Sequence, residues 1–327
     1  MASPVIPLNT NTFSKATDAA IRKYFVDEYK LAEPKLELIY MVQNQENKSD
    51  EYTGMTGLSG QFSEIAENEK YPEDTSIATY DTTFVVSKRG TTESITWEAN
   101  KWSRTRDLVD SGKKLAKAAK MDIGHQMAGV LTGGWATPAS TVMAYGDGKD
   151  LFTIGALRAD GGTAFSNTSA TSIVLNEANL WVGMIALSNQ VDDRGEIADF
   201  SATKLIVPAA TSNEKTARVI LGSEKKAETG DNDMNLYKGM LDLVTVKYLN
   251  GTATGTAAHS GCWYLVDSNN NPLVWQWGQK PTVERDDSVG FLNDTVVYKI
   301  RYERSRGFRN HRGIWASYGD GTTTIAD

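Results

Sequence analysis

The residue types able to carry a reaction near neutral pH are few in this chain and widely scattered. The three histidines, His125, His259 and His311, stand far apart and form no metal-ligand spacing. Cys262 is the only cysteine, and it reads as a small buried hydrophobe rather than a nucleophile. Asp267, Asn269 and Asn271 alternate as in a calcium loop. Pro272 follows, however, and no Glu stands at the twelfth position, so a turn is the expectation. Gly112–Lys113–Lys114 lacks the upstream glycine and the Ser or Thr of a phosphate-binding loop, and no Gly-x-Ser-x-Gly elbow occurs. Asp192–Asp193–Arg194–Gly195 could hold a cation, but the same four residues make a plain turn. A cytosolic α/β hydrolase or transferase working through Asp192, Asp193 and His259 would need a pocket that joins them. The residue chemistry does not announce an enzyme, and no catalytic residue, metal ligand or cofactor is expected.

Composition bounds the rest. The 327 residues suffice for a large core and suggest about two domains. Hydrophobic residues make up 40% and charged residues 23%, as in an ordinary folded soluble protein. No apolar run approaches the roughly 20 residues needed to span a bilayer, so no membrane partner is expected. The opening MASPVIPLNTNTFSK lacks a basic start and an apolar core, so no secretory signal is expected. A single cysteine fits a reducing compartment. The net charge of −7 argues against nucleic acid held over the whole surface and leaves room for a local basic patch.

The elements that would position any site begin with a long helix. In Arg106–Gly134, Leu108, Leu115, Ala119, Ile123, Met127 and Val130 recur at the period of one helical face. Asp110 or Ser111 suits the N-cap, and Gly133 and Gly134 suit a left-handed C-terminus. Before it, residues 1–12 read as an extended arm and Thr17–Leu31 as a helix. Phe25, Tyr29, Ile39 and Tyr40 have no core of their own nearby and must pack on another part of this chain or on another chain. Ala78–Val86 and Thr91–Trp97 read as strands joined by a Lys88–Arg89–Gly90 turn into a projecting hairpin. Such a hairpin alone is marginal in water.

After an irregular stretch at 135–170, a compact α/β unit is expected. Asn176–Gln190 reads as a helix with Leu180, Trp181, Met184, Ile185 and Leu187 inward. Lys204–Val207 is a short buried strand, Ser212–Leu221 a helix and Leu241–Leu249 a strand. Ser268–Pro272 signals a hairpin between Trp263–Asp267 and Leu273–Trp277. Thr295–Tyr302 alternates strictly, with Val296, Tyr298 and Ile300 on one face and Lys299 and Arg301 on the other. Gly313–Tyr318 is the last strand.

The order of these pieces resembles the major capsid protein of tailed double-stranded DNA bacteriophages, the Hong-Kong-ninety-seven-type fold, in its Mu-type major head subunit branch. Lys88–Glu98 (KRGTTESITWE) is similar to the strand leading from that family's extended loop, and Arg106–Gly134 to its spine helix. Gly148–Phe152 (GKDLF) resembles the Gly-Lys-x-Leu-Phe segment of the Mu-type branch. Gln190–Gly195, Lys204–Ala209 and Ala217–Ser223 resemble the core of the axial domain, and Pro272–Ala316 the C-terminal segment.

The resemblance implies an α+β phage capsid fold with a spine helix, a β-sheet and an α/β axial domain. Its parts are an N-terminal arm at 1–45, an extended loop at 46–97, a peripheral domain at 98–170 with 255–327, and an axial domain at 171–254. It implies a structural head protein that self-assembles into pentamers and hexamers of an icosahedral shell around double-stranded DNA. An encapsulin-type compartment is the alternative. Implied partners are further copies, portal, scaffolding and decoration proteins, and packaged DNA contacted non-specifically. Implied localisation is the virion capsid, assembled in the bacterial host cytoplasm. No cross-linking Lys–Asn pair is matched. The extended loop of the family lies over the next subunit's peripheral domain. Glu64, Glu67, Glu69, Glu73 and Asp74 are therefore expected to contact Lys299, Arg301, Arg304, Arg306, Arg309 and Arg312 of a neighbour.

Overall fold

The computed structural model describes residues 22–27, 29, 35–58, 64–96, 106–135, 146–225, 234–250, 259–286 and 295–325. The chain divides into two compact units. One gathers Met1–Lys35, Val86–Gly124 and Trp277–Arg304; the other gathers Leu36–Val85, His125–Gln276 and Ser305–Asp327.

The long helix, α1, runs from Arg106 to Gly133. At 1.5 Å per residue it is about 42 Å long. It starts four residues before the cap expected at Asp110. Leu115, Ala116, Ala119 and Ile123, and then Ala128, Val130 and Leu131, are buried along its length, while Lys113, Lys114 and Lys117 stay exposed. The side chain of Leu108 lies outside the described residues. The closing glycine works by close approach rather than by left-handed backbone. Positive φ occurs at Gly148 and six other glycines but not at Gly133 or Gly134. A Cβ on Gly134 would instead sit 2.9 Å from Leu151 Cβ and 3.1 Å from the Phe152 ring. The Gly-Lys-Asp-Leu-Phe segment thus seats its two apolar residues, both buried, against the end of the helix, and Phe152 N–H donates to the Gly134 carbonyl at 3.1 Å.

In the first unit, β4 (Ser87–Thr96) pairs antiparallel with β9 (Thr295–Phe308), from Ser87 opposite Arg304 to Thr96 opposite Thr295. Their sheet has the order β1-β8-β9-β4, and of its other strands β1 (Met41–Asn44) and the first residues of β8 (Leu273–Asp286) belong to the second unit. Tyr298, Ile300 and Tyr302 line the buried face of β9. The hairpin expected between 78–86 and 91–97 does not form. β3 (Ala78–Val85) pairs with β2 (Ser49–Met55) as a separate two-stranded ribbon. The reason is local: only Val86 separates β3 from β4, and the tightest hairpin loop needs two residues. Lys88, Arg89 and Gly90 are strand residues, not a turn.

The second unit holds a sheet of order β10-β7-β5-β6, made of β5 (Lys204–Pro208), β6 (Asp242–Val246), β7 (Trp263–Val266) and β10 (Ile314–Ser317). β5 and β6 are parallel; β5–β7 and β7–β10 are antiparallel. Helices α2 (Glu177–Ser188) and α3 (Ser212–Gly222) are capped by Asn176 and Thr211, whose side chains accept from the N–H groups of Asn179 and Glu214. Leu180, Leu187, Ala217 and Leu221 close on Leu205, Val207, Leu265, Trp263 and Trp315 to form the core. This sheet takes β7 and β10 from beyond residue 254, so 171–254 does not complete it alone.

Two further expectations are corrected here. β7 and β8 belong to different sheets, so Ser268–Pro272 is not a hairpin loop. Buried Asp267 accepts from Asn269 N–H at 2.9 Å and from the Asn270 side chain at 3.0 Å, while Asn271 donates to the Ile39 carbonyl at 2.6 Å. These bonds bend the chain without pairing its flanks. On α2, Trp181 and Ile185 face outward, and Leu180, Gly183 and Leu187 face the core. A Cβ on Gly183 would meet the Trp315 ring at 2.9 Å and Leu265 at 3.0 Å, so this face can only be the inner one.

Candidate functional site

The acidic segment follows the β2–β3 ribbon outward. The ribbon's end is closed by Thr56 N–H to the Ile77 carbonyl and Ile77 N–H to Thr56 Oγ1, both at 2.9 Å. Beyond it Glu64, Glu67, Glu69, Glu73 and Asp74 are all exposed. Glu69 accepts from Ala66 N–H at 3.0 Å, and Glu73 pairs with Lys70 at 2.9 Å. Asp74 is already engaged. Arg194 holds its carboxylate through one nitrogen at 2.9 and 3.1 Å and also reaches the Thr75 carbonyl.

The basic run on and after β9 is not one charged face. Lys299 and Arg301 point outward and share Glu284, each at 2.8 Å, and this pairing holds the Glu284 carboxyl below its ordinary range. Arg304 is buried on the face of Tyr298, Ile300 and Tyr302. Past it the alternation breaks, with Arg304 and Ser305 both buried. Arg306 donates to the Gln126 carbonyl. Arg309 donates to Gln43 at 3.0 Å and lies 4.4 Å over the Tyr52 ring. Arg312 forks onto Asp193, donates to the Val191 carbonyl at 2.6 Å and covers the Phe165 ring at 4.4 Å. All six cations are thus buried or bonded within their own unit, Lys299 and Arg301 through Glu284. Sequence reasoning missed their partners Asp193, Gln43 and Glu284, and also Arg194. Of these, only Glu284 could have been suspected, from its acidic position on a strand facing two outward cations.

The four arm residues are buried in this chain. Phe25 and Tyr29 stack at 5.9 Å, and Tyr40 meets Trp275 edge-on at 5.8 Å and donates to the Met127 carbonyl. Ile39 is buried beside them in sequence.

The scattered reactive residues are not poised for catalysis. Asp193 is paired with Arg312. Asp192 accepts from the N–H groups of Arg194 and Glu196 at 2.8 and 3.0 Å, and Gly195 takes φ +81, so this stretch is a turn. His259 Nδ1 lies 3.5 Å from Cys262 Sγ, but burial pushes the thiol up to about 12 and the imidazole down. A thiol that stays protonated is a poor nucleophile. His125 packs on the Tyr248 ring, and His311 is buried 3.1 Å from Asp147. Among the described residues no group of three or more His, Cys, Asp or Glu is placed to hold a metal, and no helix is long and apolar enough to cross a membrane.

The spine-like helix, the strand pair, the ribbon and the mixed α/β unit define a capsid-type fold, built for contact rather than for reaction. Residues 79–317 match the family model described as phage capsid protein, and the chain belongs to that family. No curated protein matches it in sequence. Among solved structures, Gordonia phage Cozz aligns at TM-score 0.54 and 11% identity, covering 86% of this chain and 84% of that one. The cyanophage Pam1 capsid aligns at 0.51 and 12%, covering 88% and 89%. A virus-like particle from Pyrococcus furiosus aligns at 0.50 and 11%, covering 91% and 98%. The protein is a structural, non-enzymatic subunit of a homo-oligomeric viral shell, with the tailed-phage capsid fold.

Proposed function

We propose that copies of this chain form pentamers and hexamers around their α/β units, and that these close into an icosahedral head around double-stranded DNA. The carrying observation is the β2–β3 ribbon. It is a two-stranded sheet that exposes Met55, Leu58 and Tyr71 on and beyond its strands. Two strands alone are marginal in water, so a neighbour is the natural source of the missing support. The segment 46–97 serves as the extended loop, and Gly148–Phe152 suggests the Mu-type branch. Assembly in the bacterial host cytoplasm, with portal, scaffolding and decoration proteins, belongs to this reading. So does non-specific contact with the packaged DNA.

Within that shell the acidic tip at 64–74 reaches a neighbour's outward cations Lys299 and Arg301. Arg304 and Arg312 take no direct part because both are buried, and Arg306 and Arg309 are held by Gln126 and Gln43, whereas Lys299 and Arg301 stay accessible beside Glu284. Phe25 and Tyr29 are buried and stack on each other, and Ile39 and Tyr40 are buried in the unit that carries the ribbon, Tyr40 against Trp275. The phage-capsid family match favours a head over an encapsulin-type compartment. Expression of the chain with its neighbouring phage genes, followed by electron microscopy, tests the reading: DNA-filled icosahedral heads support it, and empty shells loaded with a cargo enzyme reject it.

A further inference from the structure

Helix α2 is apolar on both sides. Its sequence, EANLWVGMIALS, carries one charge, Glu177, in the first turn. The inner side is fixed by Leu180, Gly183 and Leu187, with Gly183 pressed against Trp315 and Leu265. The outer side leaves Trp181 47% exposed, Val182 51% and Ile185 45%. The Trp181 ring meets Tyr237 edge-on at 6.2 Å, which joins this face to the loop where Leu236 is 77% exposed and Met240 46%. A helix apolar all round is normally buried on every side. These five side chains leave about 500 Å² of apolar surface, near the top of the range for a lone monomer and over half of one partner's share in a standard interface.

We propose that this outer face of α2, with Leu236 and Met240, is a contact surface for a second copy of the chain. The inference rests on the shell reading above and names a surface that reading leaves open. Three observations select the occupant. The face carries no lysine or arginine on α2, and Lys238 in the loop is paired with Glu224 at 2.9 Å, so it is not suited to nucleic acid. Its largely apolar character, with Glu177 alone charged on α2, is that of a permanent interface rather than a transient one. The permanent partner common to every subunit of a homo-oligomeric shell is another copy. In a closed ring the contact is heterologous, so the face meets a different surface of the next copy.

The test uses the full chain with Ile185→Cys and with Ile185→Lys. Cys262 is fully buried and adds little background. In assembled shells maleimide labelling of I185C should slow by about tenfold or more relative to dissociated subunits. I185K should keep its melting temperature within about 2 °C, as at an exposed site, yet yield no shells. Equal labelling of I185C in shells and in subunits overturns the proposal. So does protection that appears only when a second virion protein is present, which would assign the face to that protein. If the unsubstituted chain forms no shells at all, the shell reading itself fails, and the two failures are distinguishable.

Discussion

Arg312 and Asp193 form a two-pronged ion pair, with nitrogen-to-oxygen distances of 3.1 and 3.1 Å and side chains only 7% and 13% exposed. A pair this enclosed contributes less through attraction than through the penalty of breaking it, because the survivor is a charge without water. It fixes the turn at 191–196 to the chain between β9 and β10. Arg312→Ala should therefore cost about 3–5 kcal/mol in urea unfolding. Arg312→Met with Asp193→Leu should recover most of that loss. A cost below about 1 kcal/mol would mean that the pair behaves as an exposed one.

The long helix should behave as core along one stripe. Leu115 and Ile123 are both buried. Replacing either with Ala should cost about 2–5 kcal/mol, since the vacated space cannot fully collapse. Thermal melting of the two variants checks this, and unchanged midpoints would contradict the assigned face.

Two carboxyls near His311 give stability opposite dependences on pH. Burial pushes Asp147 up, but hydrogen bonding and charge from His311 and the N–H groups of Lys149 and Leu157 outweigh it and hold the carboxyl below 3.8. Its folded value is depressed, so its contribution is present above the ordinary aspartate range and fades as pH falls through that lower value. Asp150 is raised by burial to about 6, with the charge of His311 pulling the other way. Its folded value is elevated, so its contribution is present below the ordinary range and lost as pH rises through about 6. Asp150→Asn should therefore raise the melting temperature at pH 8 and leave it nearly unchanged at pH 4. Equal gains at both pH values would place the effect elsewhere.

The proposed contact between the ribbon tip and β9 calls for substitutions at exposed positions. Lys299→Glu with Arg301→Glu should weaken DNA-free shells by a salt-sensitive amount, and Glu67→Lys with Glu69→Lys in the same chain should partly restore them. Reversing Arg304 would instead disrupt the subunit, because that side chain is buried. Shell yields in a salt series separate the two cases. Absence of rescue would remove the contact.

How much of this was legible in the sequence depended on whether a signal was local. The stripe of α1 and the alternation of β9 up to Tyr302 could be read because one buried face leaves a period of 3.6 or 2. The turn at Asp192–Gly195 could be read from its residues. Strand partners could not. Ala78–Val86 and Thr91–Trp97 look like two arms of a hairpin because Lys88–Arg89–Gly90 reads as a turn, whereas the second strand starts at Ser87 and pairs with β9, far off in sequence. The Ser268–Pro272 signal shows that the chain bends, not what its flanks pair with. Trp181 and Ile185 read as inward because a helix apolar on both sides has no period to tell in from out. The charge run at 299–312 looked like one surface because its partners lie far off in sequence, at Asp193, Gln43 and Gln126.

The central claim is that this chain's work is symmetric assembly with other copies of itself. Sedimentation velocity of the purified full chain under assembly conditions, with electron micrographs of the fastest fraction, tests it most directly. The account predicts megadalton closed particles of uniform size that dissociate into smaller rings. A homogeneous monomer or small oligomer under all conditions, including co-expression with the neighbouring phage genes, would contradict it.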